Sequence, residues 1–352
     1  MQTEKSPRTR DIVVIGGSSG SIGVLEAIVS RLPADLPAAI FVVVHTAARG
    51  PGLLGEILSR RGPLRASLAI HGEEIQHGRI YVAPPDNHVM LNDGFVQVVR
   101  GPKENNHRPA VDPLFRTAAK HYGPRVIGIV LSGNLDCGTA GILSIKAREG
   151  LAIVQDPRDA SVPTMPTSVL DHVHVDHVVT AAEIGPLLAR LVHERAPPWP
   201  AALPREIMGL EGDELGIPVQ AVCPYCSGAM TVSGTNGFQL FRCHVGHAFS
   251  QKTVLLEQEN QVEGCLWSAA RALEETAALA EQLVPGAPPE LRRRLEEKVL
   301  IHMESAAKVR SVLQSLRPDV PIPMQDRQQD SEPAQPAGKP SRESMGEPER
   351  AH

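Results

Sequence analysis

Residues 12–23 read IVVIGGSSGSIG, and the fold class turns on how this stretch is interpreted. Ile12 to Ile15 form an unbroken apolar run, which suits a strand buried on both faces. Gly16 and Gly17 end the run, and Ile22, Leu25, Ile28 and Val29 then follow a helical period. A strand that turns sharply into a helix presents its turn residues at the carboxyl edge of a sheet, beside unpaired helix N–H groups. Gly16-Gly17-Ser18-Ser19-Gly20 fits G-x-S-x-G with Ser18 at the tip, where strained backbone and close approach of a reacting group favour glycine. A glycine-rich first turn also suits dinucleotides. However, Gly16, Gly20 and Gly23 do not form G-x-G-x-x-G, and no acidic residue closes a second strand about twenty residues on. None of the tyrosines, Tyr81, Tyr122 and Tyr225, has a lysine four residues later, against a short-chain dehydrogenase. The nucleophile reading is preferred.

Working outward, buried strands are expected at Ala38–Val44, Arg79–Ala83, Arg125–Leu131 and Leu151–Val154. A hairpin is expected from Val89–Leu91 and Phe95–Val99 about Asn92-Asp93-Gly94. Helical patterns at residues 52–60, 111–121 and 185–193 alternate with them. This predicts a doubly wound, mainly parallel α/β sheet with helices on both faces, over residues 11–195. Residues 1–10 are read as a flexible N-terminus. Residues 196–218, with Pro197, Pro198, Pro200, Pro204 and Pro218, are read as a linker that leaves the first 195 residues self-contained. A small cysteine-rich segment follows at 219–250, then a helical hairpin at 251–316 with Leu291, Leu295, Val299, Met303, Ala306 and Leu313 on one face. A tail at 317–352, rich in Pro, Gln, Ser and charge, is expected to be disordered.

The chain has 352 residues, 42% hydrophobic and 21% charged, with net charge -5. That balance argues against a general nucleic-acid binder. No apolar run reaches membrane-spanning length and no secretory h-region precedes the first strand, so no membrane insertion and a cytoplasmic location are expected. Five cysteines, three of them in one segment, suit metal ligation in a reducing compartment better than disulfides.

Ser18, His45 and Asp136 each follow an expected parallel strand, so three loops at one sheet edge can bring together a nucleophile, a base and an acid. His107, in the tripeptide HRP, could instead hold a substrate or cap a helix. His172, His174 and His177 alternate as on the exposed face of an edge strand. Cys223, Cys226, Cys243 and His247 form C-x2-C-x16-C-x3-H, whose two short-spaced pairs can close a tetrahedral structural zinc site. His244, adjacent to Cys243, is a poorer fourth ligand, and Cys265 is read as a helix-core residue.

IGGSSGSIGVLEAI, VVVHTA, RIYVAPPDNHVML, NNHRPAVDPLF, IGIVLSGNLDCGTAGI and MPTSVL together resemble the catalytic domain of the chemotaxis protein-glutamate methylesterases, the CheB family, across about Asp11 to Leu191. The resemblance implies Ser18 as nucleophile and His45 as base. It also implies methyl-accepting chemotaxis receptors as partners, with glutamate γ-methyl esters and receptor glutamines as substrates, and no cofactor for catalysis. In the third loop the family's acid directly precedes the glycine, and Cys137 holds that place here, with Asp136 one residue earlier. Asp136 is the expected triad acid because a thiol cannot stabilise an imidazolium without becoming a thiolate. The competing reading is a receptor-binding module that keeps the fold without the acid. Only ten residues precede the first strand, so the receiver domain of full-length members has no expected counterpart and control by phosphorylation in cis is not expected. The helical hairpin is expected to bind another helix, from a receptor or a second copy.

Overall fold

The computed structural model describes residues 9–212, 214 and 216–316. The expected disordered tail at 317–352 and most of the expected N-terminal arm lie outside them. Two compact units are present, one running to Val262 and the other starting at Glu263.

The first unit opens with β1 (Ile12–Gly17), α1 (Ser21–Val29), β2 (Ala39–Val44), α2 (Leu54–Arg61), β3 (Arg65–Leu68) and β4 (Arg79–Val82). The hairpin β5 (His88–Asn92) and β6 (Phe95–Val99) follows, then α3 (Val111–Tyr122), β7 (Val126–Val130), α4 (Thr139–Lys146), β8 (Leu151–Gln155), α5 (Thr164–His172), β9 (His177–Val179) and α6 (Ala181–Leu191). Seven strands pair in the order β3-β4-β2-β1-β7-β8-β9, and every pairing is parallel.

The pleat explains the apolar runs. Val14, Phe41, Val43 and Val154 point to the layer of α3, α4 and α5. Val13, Ile40, Val42, Ile127 and Ile129 point to the layer of α1, α2 and α6. With both faces covered, strands need no polar alternation. The expected doubly wound sheet is therefore present, and it is wholly parallel. The sequence reading missed β3 and α5, and it treated the three alternating histidines as one strand. Instead His172 ends α5, His174 lies between elements and His177 starts β9 at the sheet edge.

The stretch expected to be a linker is structured. It contains α7 (Arg205–Glu211), whose Ile207 and Leu210 join the main core. Arg148 at the end of α4 makes a paired-fork ion pair with Glu211, each side chain 4% exposed. Four antiparallel strands follow: β10 (Ile217–Val222), β11 (Ala229–Thr235), β12 (Phe238–Cys243) and β13 (Ala248–Ser250). Phe238, Leu240 and Ala248 of this ribbon belong to the same core as α3 and α4. The expected boundary at residue 195 is thus corrected: contiguous apolar burial carries the unit through to Val262.

Helix α8 (Gln251–Leu283) passes from the first unit into the second, where α9 (Pro289–Ser315) follows. In the second unit Ala270, Ala277 and Ala280 of α8 are buried, as are Ala306 and Leu313 of α9. The α9 seam runs through Leu295, Val299, His302, Ala306, Val309 and Leu313, alternating steps of four and three. Leu291 and Met303, expected on that face, fall outside the seam and are about half exposed.

Removing Glu211 leaves the Arg148 guanidinium buried and unpaired. Glu211→Ala is expected to destabilise the protein by about 3–5 kcal/mol in urea unfolding, whereas Arg148→Met combined with Glu211→Leu restores most of the loss. A cost under about 1 kcal/mol for Glu211→Ala would mean that water reaches the pair.

Candidate functional site

Strand order reverses between β1 and β7, the topological switch where the loops after neighbouring strands diverge and open a crevice. Ser18 leaves β1 at this point, and the loop 132–138 leaves β7 beside it. Ser18 N–H donates to Ser132 O at 2.9 Å, and the Ser21 hydroxyl donates to Ser18 O at 2.6 Å. The Ser132 hydroxyl donates to Ser19 O, and its own N–H donates to Gln155 Oε1. The turn is therefore held by the backbone of two strands. Its left-handed residue is Gly20 at φ 81, and Ser18 lies outside the positive-φ region. Glycine serves close approach at Gly16, where an added Cβ would fall 2.3 Å from Val111 Cγ1.

Gly17 pairs with Val44, and His45 N–H donates to Gly17 O at 3.2 Å. Ser18 and His45 are thus the residues that directly follow the adjacent parallel strands β1 and β2 at their carboxyl ends. The His45 ring lies flat against His107, with centroids 3.6 Å apart and planes 10° from parallel. Both His45 ring nitrogens are buried without a hydrogen-bond partner. Burial pushes the His45 pKa well below the imidazole range, helped by His107. His107 is pushed down to about 4, again chiefly by burial, with Lys103 adding to it.

The expected hydrogen bond from His45 to Asp136 is not formed. The Asp136 carboxylate accepts from Ser250 Oγ at 2.6 Å, and that hydroxyl caps α8 by accepting from Thr253 N–H. A buried carboxylate takes the nearest strong donor, and the C-terminal ribbon supplies it. Cys137 is also buried. Its Sγ accepts from Val111 N–H at 3.3 Å, and burial pushes its thiol pKa up, with Asp112 adding to it. Neither residue supplies a carboxylate to His45.

Three residues near this edge were missed from sequence. Asp112 is fully buried, with Oδ1 accepting from Gly141 N–H and Oδ2 from Asn105 Nδ2; burial pushes its pKa up to about 6. Asn105 and Asn106 occupy the left-handed region at φ 47 and 69, between Glu104 and His107, which exchange both backbone hydrogen bonds. This is a two-residue hairpin turn of the type that favours Asn at both positions. The Asn-Asn pair before HRP was the available signal.

A family model described as CheB methylesterase matches residues 13–188. The chain belongs to the CheB methylesterase family. It is 36% identical over 182 residues to a putative protein-glutamate methylesterase/protein-glutamine glutaminase of Leptospira interrogans, covering 51% of this chain and 94% of that one. A protein-glutamate methylesterase/protein-glutamine glutaminase of Thermotoga maritima is 36% identical over 185 residues, covering 51% of this chain and 54% of that one. The crystal structure of the Thermotoga maritima CheB methylesterase catalytic domain superposes with a TM-score of 0.50 at 35% identity, covering 52% of this chain and 98% of that one.

Outside the region of the CheB match, Cys223, Cys226, Cys243 and His247 converge, with all four ligand atoms within 4.8 Å of one another. Cys226 Sγ lies 3.7 Å from Cys243 Sγ, and His247 Nδ1 lies 3.7 and 3.6 Å from Cys223 and Cys243 Sγ. A tetrahedron with ordinary Zn–S and Zn–N bonds has S–S and S–N edges of about 3.8 and 3.6 Å. The donor set therefore fits a tetrahedral metal, with His247 offering Nδ1. His244 is outside the cluster, and Cys265, expected in a helix core, is exposed.

Gly133 packs directly on the Ser18 turn, and a Cβ there would fall 2.2 Å from Met165 Sδ and 2.7 Å from Ser18 Cβ. Gly133→Ala is expected to cost about 1–3 kcal/mol by overpacking and to slow Ser18 labelling by a fluorophosphonate. Wild-type stability together with wild-type labelling would argue against this close approach.

Proposed function

We propose that this chain is a protein-glutamate methylesterase, acting on glutamate γ-methyl esters and receptor glutamines through Ser18. The observation that supports the reading is the register of β1 with β2, which brings the loops that begin with Ser18 and His45 to one sheet edge, where burial holds His45 neutral. The Ser18 hydroxyl attacks the γ-carbonyl carbon as its proton passes to His45. His45 then gives that proton to the departing methoxide, releasing methanol, or to the departing amide nitrogen of glutamine, releasing ammonia. Water, deprotonated by His45, hydrolyses the acyl-enzyme. The Ser19 N–H near the start of α1 is the oxyanion donor in this scheme, and such donors contribute roughly 10²–10³ in rate.

With no carboxylate on His45, the pair works as a dyad. Asp136 enters this reading only as the anchor of Ser250. Ser18→Ala abolishes methanol release from methylated receptor. Asp136→Asn lowers stability and leaves turnover far above the ~10⁴-fold loss that removing a triad acid causes. A loss of that size in a folded Asp136→Asn protein would return Asp136 to the reaction. Because the His45 pKa is lowered, the base is lost only below the usual imidazole range, and the acid limb of kcat/KM is expected below about pH 6.5. A limb above that value would contradict a buried, neutral His45.

The four-residue cluster is proposed to hold one structural zinc. The ribbon's own core is small, comprising Cys223, Met230, Cys243, Phe249 and Val254, so a metal supplies folding energy that apolar burial does not. Elemental analysis of reduced protein is expected to give one zinc per chain, falling to zero in Cys223→Ser/Cys243→Ser. Zinc retained by the double variant would place the metal elsewhere.

A further inference from the structure

The zinc cluster and the Ser18–His45 edge are joined through a short, rigid path. The segment 102–110 is fixed at its base to the β5–β6 hairpin and to α3. His88 Nε2–H donates to Pro102 O at 2.8 Å while its Nδ1 accepts from Ala110 N–H at 3.2 Å. Glu104 forms a buried two-pronged pair with Arg116, which outweighs burial and holds the Glu104 pKa at about 2. The tip of the segment keeps one tie to α3, Asn105 Nδ2 donating to Asp112, and its other side-chain and backbone partners lie in the ribbon and at the start of α8. Asn105 N–H donates to Ala248 O at 2.8 Å, Ala248 N–H donates to Lys103 O, and Asn105 Oδ1 accepts from Ser250 N–H at 2.8 Å. Asn106 Oδ1 accepts from the hydroxyl of Tyr225, and Asn106 Nδ2 donates to Glu257 of α8 at 2.9 Å.

Tyr225 lies between the ligands Cys223 and Cys226, with its ring stacked on His247 at 5.3 Å and on Phe249 at 5.9 Å. Ala248 directly follows the ligand His247. Residues in or next to both ligand-bearing turns therefore hold the hairpin turn whose next residue, His107, covers the face of His45. Such a turn has little internal freedom, so a displacement at Asn105 or Asn106 moves His107.

We propose that the metal-bearing ribbon is a positioning element of the esterase site: Tyr225, Asn105 and Asn106 hold His107 against His45, so that metal occupancy sets the reactivity of Ser18. The inference rests on the Ser18–His45 reading given above. The three are positioning residues, since they act through His107. Among charged and titratable groups, His107 acts directly on His45, and Lys103 acts on His107. When the turn loosens, water reaches the buried ring nitrogens, the His45 pKa returns toward the ordinary imidazole value, and the ring loses its fixed orientation.

The test uses full-length protein and the rate of Ser18 labelling by a fluorophosphonate as a function of pH. Four samples are compared: zinc-loaded wild type, wild type stripped of zinc by a chelator, Tyr225→Phe and Asn106→Gly, the last keeping the left-handed turn while losing its side-chain ties. Relative to loaded wild type, the stripped protein and Asn106→Gly are expected to label about tenfold more slowly at neutral pH, part of the ~10²–10⁴ that a positioned base contributes. Their acid limbs move to higher pH. Tyr225→Phe moves the limb in the same direction while keeping one zinc. Amide exchange at residues 103–107 rises in all three. Limbs and exchange unchanged in all three overturn the proposal and leave the Ser18 reading standing, as does a slower rate with an unmoved limb. A wild type that never labels overturns both.

Discussion

The contact between the Gly16 backbone and Val111 sets the geometry of this molecule. A single methyl group on residue 16 would fall 2.3 Å from Val111 Cγ1 and 2.8 Å from Cγ2, so Val111 and the helix that carries it would have to shift. Because glycine is there, the N-terminus of α3 seats directly on the central strand just before the Ser18 turn. The segment leading into α3, residues 102–110, is thereby brought over the sheet edge, and His107 meets His45 face to face. Asp112, in the first turn of α3, is carried into the interior with it, where Gly141 N–H and Asn105 are its donors.

Burial rather than ion pairing dominates the electrostatics at this edge. His45 and His107 are driven toward their neutral forms, and Cys137 is held as a thiol. A neutral imidazole next to a serine can accept a proton at lower pH than a solvated one. The imidazolium that forms lacks the stabilisation a carboxylate would give. For the proposed Ser18–His45 dyad the expected consequence is a base available over a wide pH range but with less driving force than a full triad.

The C-terminal ribbon is a structural part of the esterase unit. Its ties to Asn105 and Asp136 are buried polar contacts that cost heavily if half-broken, and its apolar side chains share the core of α3 and α4. A small four-stranded sheet with few core residues of its own is held against the esterase surface, and its Cys223, Cys226, Cys243 and His247 cluster has the geometry to hold a metal. The second unit, from Glu263 onward, has an alanine-lined seam and leaves Leu300, Ile301 and Met303 in solvent.

The sequence by itself determined the sheet, the Ser18 turn and the candidate metal cluster of Cys223, Cys226, Cys243 and His247. Uninterrupted runs such as Phe41-Val42-Val43-Val44 are stable only where both strand faces are covered, and ligand spacing is a local property. It also located Ser18 and His45 at one edge, since each directly follows a strand. Short β3 escaped because four residues carry too little periodicity, and β9 was read as part of a longer histidine strand. The linker reading failed because proline content reports local stiffness and says nothing of what Ile207 and Leu210 pack against. Only the tertiary structure decided the fate of Asp136 and His107. A carboxylate one residue from the family's acid position is free to choose among donors, and its choice, Ser250, lies 114 residues away. A partner at that separation is set by the docking of one sheet on another, and no local pattern encodes it.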